Sequence, residues 1–326
     1  MESRLLNGVS VIICCYNSAW IIERTLEALK CQKVRKGLLW EIILVDNNCT
    51  DDTVEKSQKS MQDCPVPFIV VKEKKSGLAN ARKRGIAKAK YDIAIYCDDD
   101  NLLCPDYIDT MYGIMLSDPQ IGAAGGKGIA EYQVEPDEIV RKNSGAYAVG
   151  SQKSHDCWLY GAGVTLRTNL VKEIYEHQRC YLMGRKGKEL LSGDDSELVM
   201  SMVVRGYRIA PTDDVYYTHV LKANRLTAEY YEKLLIGLVR PAPVFEVFRA
   251  VIYDDSFKSI LYRYYESVRA VLWSFWRYNH ADAYRVRVQH KERLARYNYW
   301  GLLKLWWIYM SWKHIKKNAN ITNYHS

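Results

Sequence analysis

Three consecutive carboxylates, Asp98, Asp99 and Asp100, close a short apolar run at residues 93–97. Adjacent anions repel, so a fold that gathers them at one point needs a compensating cation there. Carboxylate oxygens with neither Cys nor His beside them suit a hard divalent ion, Mg2+ or Mn2+, which typically also takes phosphate oxygens of a substrate. Asp98 and Asp100 lie two apart. In an extended segment both face one side, where one reaches the metal and the other the metal or a ribose hydroxyl. The competing role is to cap the following helix, with Pro105 in its first turn. One carboxylate would suffice for that.

The elements that must hold these side chains follow from periodicity. Residues 9–14, 41–45, 67–71 and 93–97 are short and β-branched, which predicts strands. Between them, residues 19–30, 50–59 and 78–89 read as helices, the second opened by Thr50, Asp51 and Asp52. Alternation at this spacing predicts an α/β fold, a mostly parallel sheet with crossover helices. Ligands in such sheets sit beyond the carboxyl ends of the strands. Tyr16 and Asn17, Asp46, and Asp98 to Asp100 all fall at those ends. Residues 116–191 break into short Gly-rich pieces that read as strands and loops around a pocket. Asp194 and Asp195 then open a helix that Gly206 terminates, and a further strand at 208–217 leads to His219.

Composition is that of a globular protein, with 48% hydrophobic and 26% charged residues. The net charge of +8 is uneven: residues 222–326 carry 18 Lys and Arg against 8 Asp and Glu, leaving 28 against 30 in the remainder. The same segment holds six of the nine Trp. A near-neutral body with a basic, aromatic tail suits an anionic surface. Phe257, Ile260, Leu261, Tyr264, Tyr265, Val268, Val271, Leu272 and Phe275 repeat at three and four residues, with Lys258, Arg263, Arg269 and Arg277 around them. Residues 299–310 are apolar nearly all round, flanked by Arg296 and Lys313. That run is too short to span a bilayer, which predicts an in-plane helical pair at a membrane surface; a hairpin packed on the body, or a dimer interface, is the other reading. No nucleic-acid recognition motif accompanies the charge. Nine Cys without metal or redox spacing predict free thiols in a reducing cytosol. The first apolar run lacks a small-residue cleavage site, so no signal peptide is expected.

The ordered set of motifs resembles the family 2 glycosyltransferases of GT-A fold, inverting enzymes of bacterial surface-polysaccharide type. It comprises Ser10-Val11-Ile12-Ile13 with Tyr16-Asn17, Val45-Asp46-Asn47-Asn48, and Gly77-Leu78-Ala79-Asn80-Ala81-Arg82 with Gly85. Asp98-Asp99-Asp100, Gly161-Ala162-Gly163 and Gly193-Asp194-Asp195 complete it. The match covers about residues 8–220. It implies a catalytic domain over residues 1–221, with a nucleotide-sugar part to about 115 and an acceptor part after it. A basic, membrane-associating helical region at 222–326 would follow.

The resemblance implies that Asp46 accepts from the imide N–H of a uracil-type base; capping before Thr50 is its other role. Tyr16 would stack on the base, and Asn17, Arg82 and Asp99 would line the nucleotide-sugar site. Asp98 and Asp100 would hold the Mn2+ or Mg2+, ribose and diphosphate, with His219 a third metal ligand or phosphate donor. Asp195 would be the base that takes the acceptor's proton, with Asp194 beside it where the family more often has Glu. Ser192 and Asp195 also fit a capping-box variant. Trp158, Gly161 and Gly163 would form an acceptor wall. The implied enzyme moves a sugar from a nucleoside diphosphate donor, a UDP-sugar, to a glycan on a polyprenyl diphosphate, at the cytoplasmic face of the cell membrane. A sugar-nucleotide pyrophosphorylase would need a Gly-rich phosphate loop where Cys14-Cys15-Tyr16-Asn17 stand. An inactive membrane-bound scaffold would not need intact Asp46, Asp98, Asp100 and Asp195.

Overall fold

A computed structural model describes residues 5–177, 180–182, 184, 190, 192–274, 294, 295, 297 and 301–319. Of the C-terminal pattern, Phe275, Arg277, Arg296, Tyr299 and Trp300 lie outside the described residues. The eight strands are β1 (Leu6–Cys15), β2 (Trp40–Asp46), β3 (Phe68–Lys72), β4 (Tyr91–Asp98), β5 (Asn101–Leu103), β6 (Ile121–Tyr132), β7 (Thr165–Arg167) and β8 (Arg208–Leu221). They form one sheet in the order β3-β2-β1-β4-β7-β6-β8-β5. The first four are parallel neighbours, β6 and β8 pair in parallel, and β7 and β5 join antiparallel.

Both faces of the early strands are covered, which is why they read as unbroken apolar runs. Val9, Val11 and Ile13 of β1 face one core cluster with Ile42, Leu44, Ile93 and Ile95. Helices α1 (Ile22–Lys30) and α4 (Tyr107–Ser117) cover that side through Leu26, Leu29, Ile108 and Met111. Ile12, Ile43, Val45 and Tyr96 point the other way, toward α3 (Leu78–Lys88), α6 (Thr168–His177) and α7 (Asp194–Val204). Helix α2 (Thr53–Met61) packs beside α1, and the short α5 (Glu138–Lys142) precedes the loop to β7. A strand-and-loop reading of residues 116–191 is corrected by α6, a ten-residue helix. Its Leu170, Val171 and Ile174 supply the apolar face.

Beyond β8 the chain forms α8 (Ala228–Val239), α9 (Ala242–Ile252), α10 (Phe257–Ser274) and α11 (Leu302–Asn318). These helices are not apart from the body. Met200 and Val204 of α7 share a third core cluster with Val244, Val247 and Phe248 of α9, Ile260 of α10, and Leu305, Ile308, Tyr309 and Trp312 of α11. The apolar girth of α11 therefore splits in two. One face is buried, while Leu303 (73% exposed), Trp306, Trp307 (66% exposed) and Met310 face out. The stripe on α10 divides the same way: Ile260 is buried and Leu261, Tyr265 and Leu272 are exposed. No helix among the described residues is long and apolar enough to cross a membrane.

Glu246 sits in α9 among those apolar residues and accepts a hydrogen bond from the Tyr297 hydroxyl. Burial pushes its carboxyl up to about 8, from an ordinary 4.5. The folded state thus holds a proton that the unfolded chain releases at lower pH, so this contribution to stability falls as pH rises from about 4.5 through about 8. The thermal midpoint of the wild type should drop more between pH 5 and 8 than that of Glu246→Gln; identical pH slopes would refute the assignment.

Candidate active site

The parallel register brings the chemistry together. Cys15 of β1 lies level with Asp46 of β2, and Cys14 with Asp98 of β4, so the two acidic strand ends flank the end of β1. A cavity of about 950 Å3 opens there, lined by Tyr16, Arg82, Asp98, Asp99, Asp100, Trp158, Gly161, Asp194, Asp195 and His219 among others. The triplet is not an extended segment with Asp98 and Asp100 on one side. The chain turns at Asp99 and Asp100, and each carboxylate finds its own partner. Asp98 Oδ1 lies 3.5 Å from Arg82 Nη2, Asp99 accepts from the Ser18 hydroxyl, and Asp100 Oδ2 lies 3.0 Å from Arg225 Nη1. Burial, then the charges of Asp100 and Asp98, push the Asp99 carboxyl up to about 7.

His219 is anchored by Nδ1, 2.7 Å from the Tyr147 carbonyl. A carbonyl only accepts, so the proton sits on Nδ1 and Nε2 is turned to Asp100 Oδ1 at 3.5 Å. Burial lowers the pKa of this imidazole, but the charge and hydrogen bond of Asp100 outweigh it and the net direction is up.

Arg82, 3% exposed, ties the two acidic groups together. It leaves α3 beneath the cavity and reaches Asp194 Oδ2 at 2.9 Å and Asp195 Oδ2 at 4.0 Å, besides Asp98. Its guanidinium also lies 5.2 Å from the centre of the Tyr96 ring. A cation so buried persists because three carboxylates compensate it. Asp194 takes the short contact, so Asp195 is the less engaged of the pair, and burial followed by the charge of Asp194 raises its pKa. The capping-box variant with Ser192 does not form. The residue before α7 is Gly193, at φ 107°, without a side-chain cap.

Three expected residues do not line the cavity. Asn17 turns its Oδ1 to the backbone N–H of Thr50 at 2.8 Å, and Asp46 Oδ1 accepts from the Cys49 N–H at 2.8 Å. Asp46 thus ties the loop after its own strand and caps no helix, while its Oδ2 lies 3.8 Å from Lys72 Nζ. Gly163, at φ 70°, packs on Tyr107, whose hydroxyl donates to the Gly163 carbonyl. It shapes the chain behind the wall instead of the wall itself.

Residues 10–164 match the family described as "Glycosyl transferase family 2". That stretch, a little under half of the chain, carries the pattern of this family. Among curated proteins, a poly-beta-1,6-N-acetyl-D-glucosamine synthase of Staphylococcus aureus is 31% identical over 121 residues, 37% of this chain and 28% of that protein. A dolichol-phosphate mannosyltransferase of Pyrococcus furiosus is 31% identical over 144 residues, 44% of this chain and 40% of that protein. The matched stretch of the chain therefore spans less than half the length of these relatives. Two solved structures share its GT-A fold. Mannosyltransferase PcManGT from Pyrobaculum calidifontis, in complex with GDP-Man and Mn2+, has a TM-score of 0.56 at 18% identity over 98% of this chain and 88% of its own. S. aureus TarS 1-349, in complex with UDP-GlcNAc, has a TM-score of 0.54 at 14% identity over 95% and 91%.

The fold also places in the cavity residues that sequence reasoning passed over. Asn47 follows the strand-end aspartate. Its Nδ2 donates to the carbonyls of Glu73 and Lys75, and its Oδ1 accepts from the Gly77 N–H that opens α3. Arg225, Tyr230, Phe245 and Glu246 come from beyond residue 221. A carboxylate inside the apolar run Pro243-Val244-Phe245-Glu246-Val247-Phe248 was the available signal.

Gly161 shows how closely the side of the cavity with Asp194 and Asp195 is packed. A Cβ there would run into the Asp195 carboxylate and lie 2.7 Å from Arg82 Nη2. Arg82 is held by Asp194 at 2.9 Å, so its guanidinium yields only by loosening that ion pair. Gly161→Ala should cost about 1–3 kcal/mol in urea denaturation. Wild-type stability would show that the ion pair has room to move.

Proposed function

We propose that the transferase moves a sugar from a UDP-sugar to a hydroxyl of a glycan carried on a polyprenyl diphosphate, with inversion at the anomeric carbon. The observation that carries this reading is the single cavity with two acidic poles. Asp98, Asp99 and Asp100 stand at one, Asp194 and Asp195 at the other, and Arg82 lies between them. Tyr16, 58% exposed at the cavity edge, is the proposed ring against the base, and Asp46, outside the cavity lining, would have to turn its Oδ2 from Lys72 to accept from the uracil imide N–H.

The chemistry of the first pole suits a divalent cation. No three of its side chains form a ligand group among the described residues, so the ion would have to draw Asp98 from Arg82 and Asp100 from Arg225. Asp98 and Asp100 offer hard oxygens, and His219 directs Nε2 to the same place because its Nδ1 proton is committed to a backbone carbonyl, the usual arrangement behind a metal-bound His. Bound there, Mn2+ or Mg2+ would neutralise the departing diphosphate. Arg225, already at Asp100, adds positive charge beside the same position.

At the second pole Asp195 is the base. Its neighbour Asp194 is held by Arg82, and its own raised pKa gives it proton affinity above that of an ordinary aspartate. The acceptor oxygen attacks the anomeric carbon as its proton passes to Asp195. The bond from that carbon to the diphosphate oxygen breaks, and the diphosphate leaves with the electron pair. Trp158 and the Gly161 backbone form the wall against which the acceptor lies.

Turnover of a panel of nucleotide sugars is the test. Activity should vanish in EDTA and return with Mn2+. Asp195→Asn should lose on the order of 10²–10⁴-fold in rate with donor affinity nearly unchanged. Full activity in chelator would sink the metal assignment, and near-normal turnover of the Asn variant would move the base.

The lipid-borne acceptor and the location rest on the outward faces of α10 and α11. Leu303, Trp307 and Met310 stand exposed beside Lys313, a pattern suited to the headgroup level on the inner face of the cell membrane. Trp306 is a poorer probe, since its ring meets Phe257 at 5.1 Å. Wild-type protein should sediment with anionic liposomes. Leu303→Ser with Trp307→Ser should stay in the supernatant while still hydrolysing donor. Failure of the wild type to sediment at low salt would overturn the membrane reading.

A further inference from the structure

One stripe of α9 faces the cavity: Ala242, Phe245, Glu246 and Arg249, spaced i, i+3, i+4, i+7. The opposite stripe, Val244, Val247, Phe248 and Val251, is in the third core cluster. The helix is therefore a rigid wall on the side of the cavity away from the strand ends. Two contacts fasten it to the loop that carries Trp158. Asp156 Oδ2 lies 3.1 Å from Arg249 Nη2 and accepts from the Tyr253 hydroxyl at 2.5 Å. Trp158 is itself clamped, stacked on His155 at 3.7 Å between ring centroids and met edge-on by Tyr160 at 5.7 Å. Trp158 and Phe245 both border the third cluster, and both line the cavity.

We propose that the α9 wall and the Trp158 loop form a binding subsite for one pyranose ring of the acceptor, with Trp158 as the platform and Glu246 as the group that reads its hydroxyls. This deepens the glycosyl-transfer reading and rests on it. A sugar ring presents C–H groups on its faces and hydroxyls at its edge, so a site for it pairs an aromatic face with a fixed polar group at the rim. Glu246 is 7% exposed, borders the cavity, and is oriented by Tyr297. Burial raises its pKa against the opposing charge of Arg263, which also lines the cavity, and in its protonated form the carboxyl both donates and accepts toward a hydroxyl. The pole proposed for the donor is built on β1, β2, β4, α3, β8 and the turn after β8, none of which contains these residues. Changes at Glu246 should act on the acceptor alone.

Saturation-transfer NMR tests this on the full chain with saturating UDP and Mn2+, using methyl glycosides of glucose, galactose, mannose and N-acetylglucosamine as probes. At least one glycoside should show saturation transfer with the wild type. That signal should fall at least about fivefold in Glu246→Ala and in Trp158→Ala, with UDP affinity unchanged, and Glu246→Gln, which keeps size and neutrality, should retain most of it. An undiminished signal in Glu246→Ala, or no signal with any glycoside from wild type that binds UDP, overturns the subsite. Loss of UDP binding in Glu246→Ala marks the residue as structural and overturns it equally. Wild type that binds neither UDP nor GDP would overturn the nucleotide-sugar reading, and the subsite with it.

Discussion

Five carboxylates, Asp98, Asp99, Asp100, Asp194 and Asp195, converge on one cavity, where the buried guanidinium of Arg82 and the half-buried one of Arg225 compensate them. Arg82 comes from α3 and Arg225 from the turn after β8, so the acidic poles are compensated from elements far apart in the chain. Buried like charges disfavour ionisation unless opposite charge is close. The raised pKa values of Asp99 and Asp195 show compensation that is incomplete. A cavity poised in this way favours binding of further positive charge at the first pole and proton uptake at the second. The rest of the architecture serves to keep that balance in place: the parallel register, the buried α3 and the β8 extension that carries His219 and leads into Arg225.

Local signals made the nucleotide half legible. Parallel strands buried on both faces leave unbroken apolar runs, and each run stops where polar residues must emerge, so Asp46 and Asp98 were placed at strand ends from sequence alone. The turn at Asp99 and Asp100 was not legible. Its conformation is set by Ser18, Thr25, His219 and Arg225, whose proximity depends on sheet order. The same holds for β6 and β8. Their parallel pairing joins residues about ninety apart, with shifts of register that no periodicity announces. Helix α6 was missed because glycines on either side dominated the reading of residues 116–191.

The C-terminal helices show where composition alone misleads. Their aromatic and cationic content was read as one surface, yet α11 has two apolar faces, one in the core and one exposed. Trp312 is 1% exposed against Phe248, while Trp307 points outward. Hydropathy registers the sum of both faces and cannot divide it. Only the packing of α9 between α7 and α11 reveals which Trp are core.

The fastening of α9 to the Trp158 loop by Asp156 has a consequence for how such a protein can diversify. A helix that is at once core, cavity wall and the base of the outward apolar face cannot be exchanged as a module. Grafting a different C-terminal segment onto this strand-and-helix body would alter the cavity and the surface together. Changes to the α9 side of the cavity and changes to the outward face of α11 are thereby mechanically linked in this chain, whereas the strand ends at the other side of the cavity are free to stay as they are.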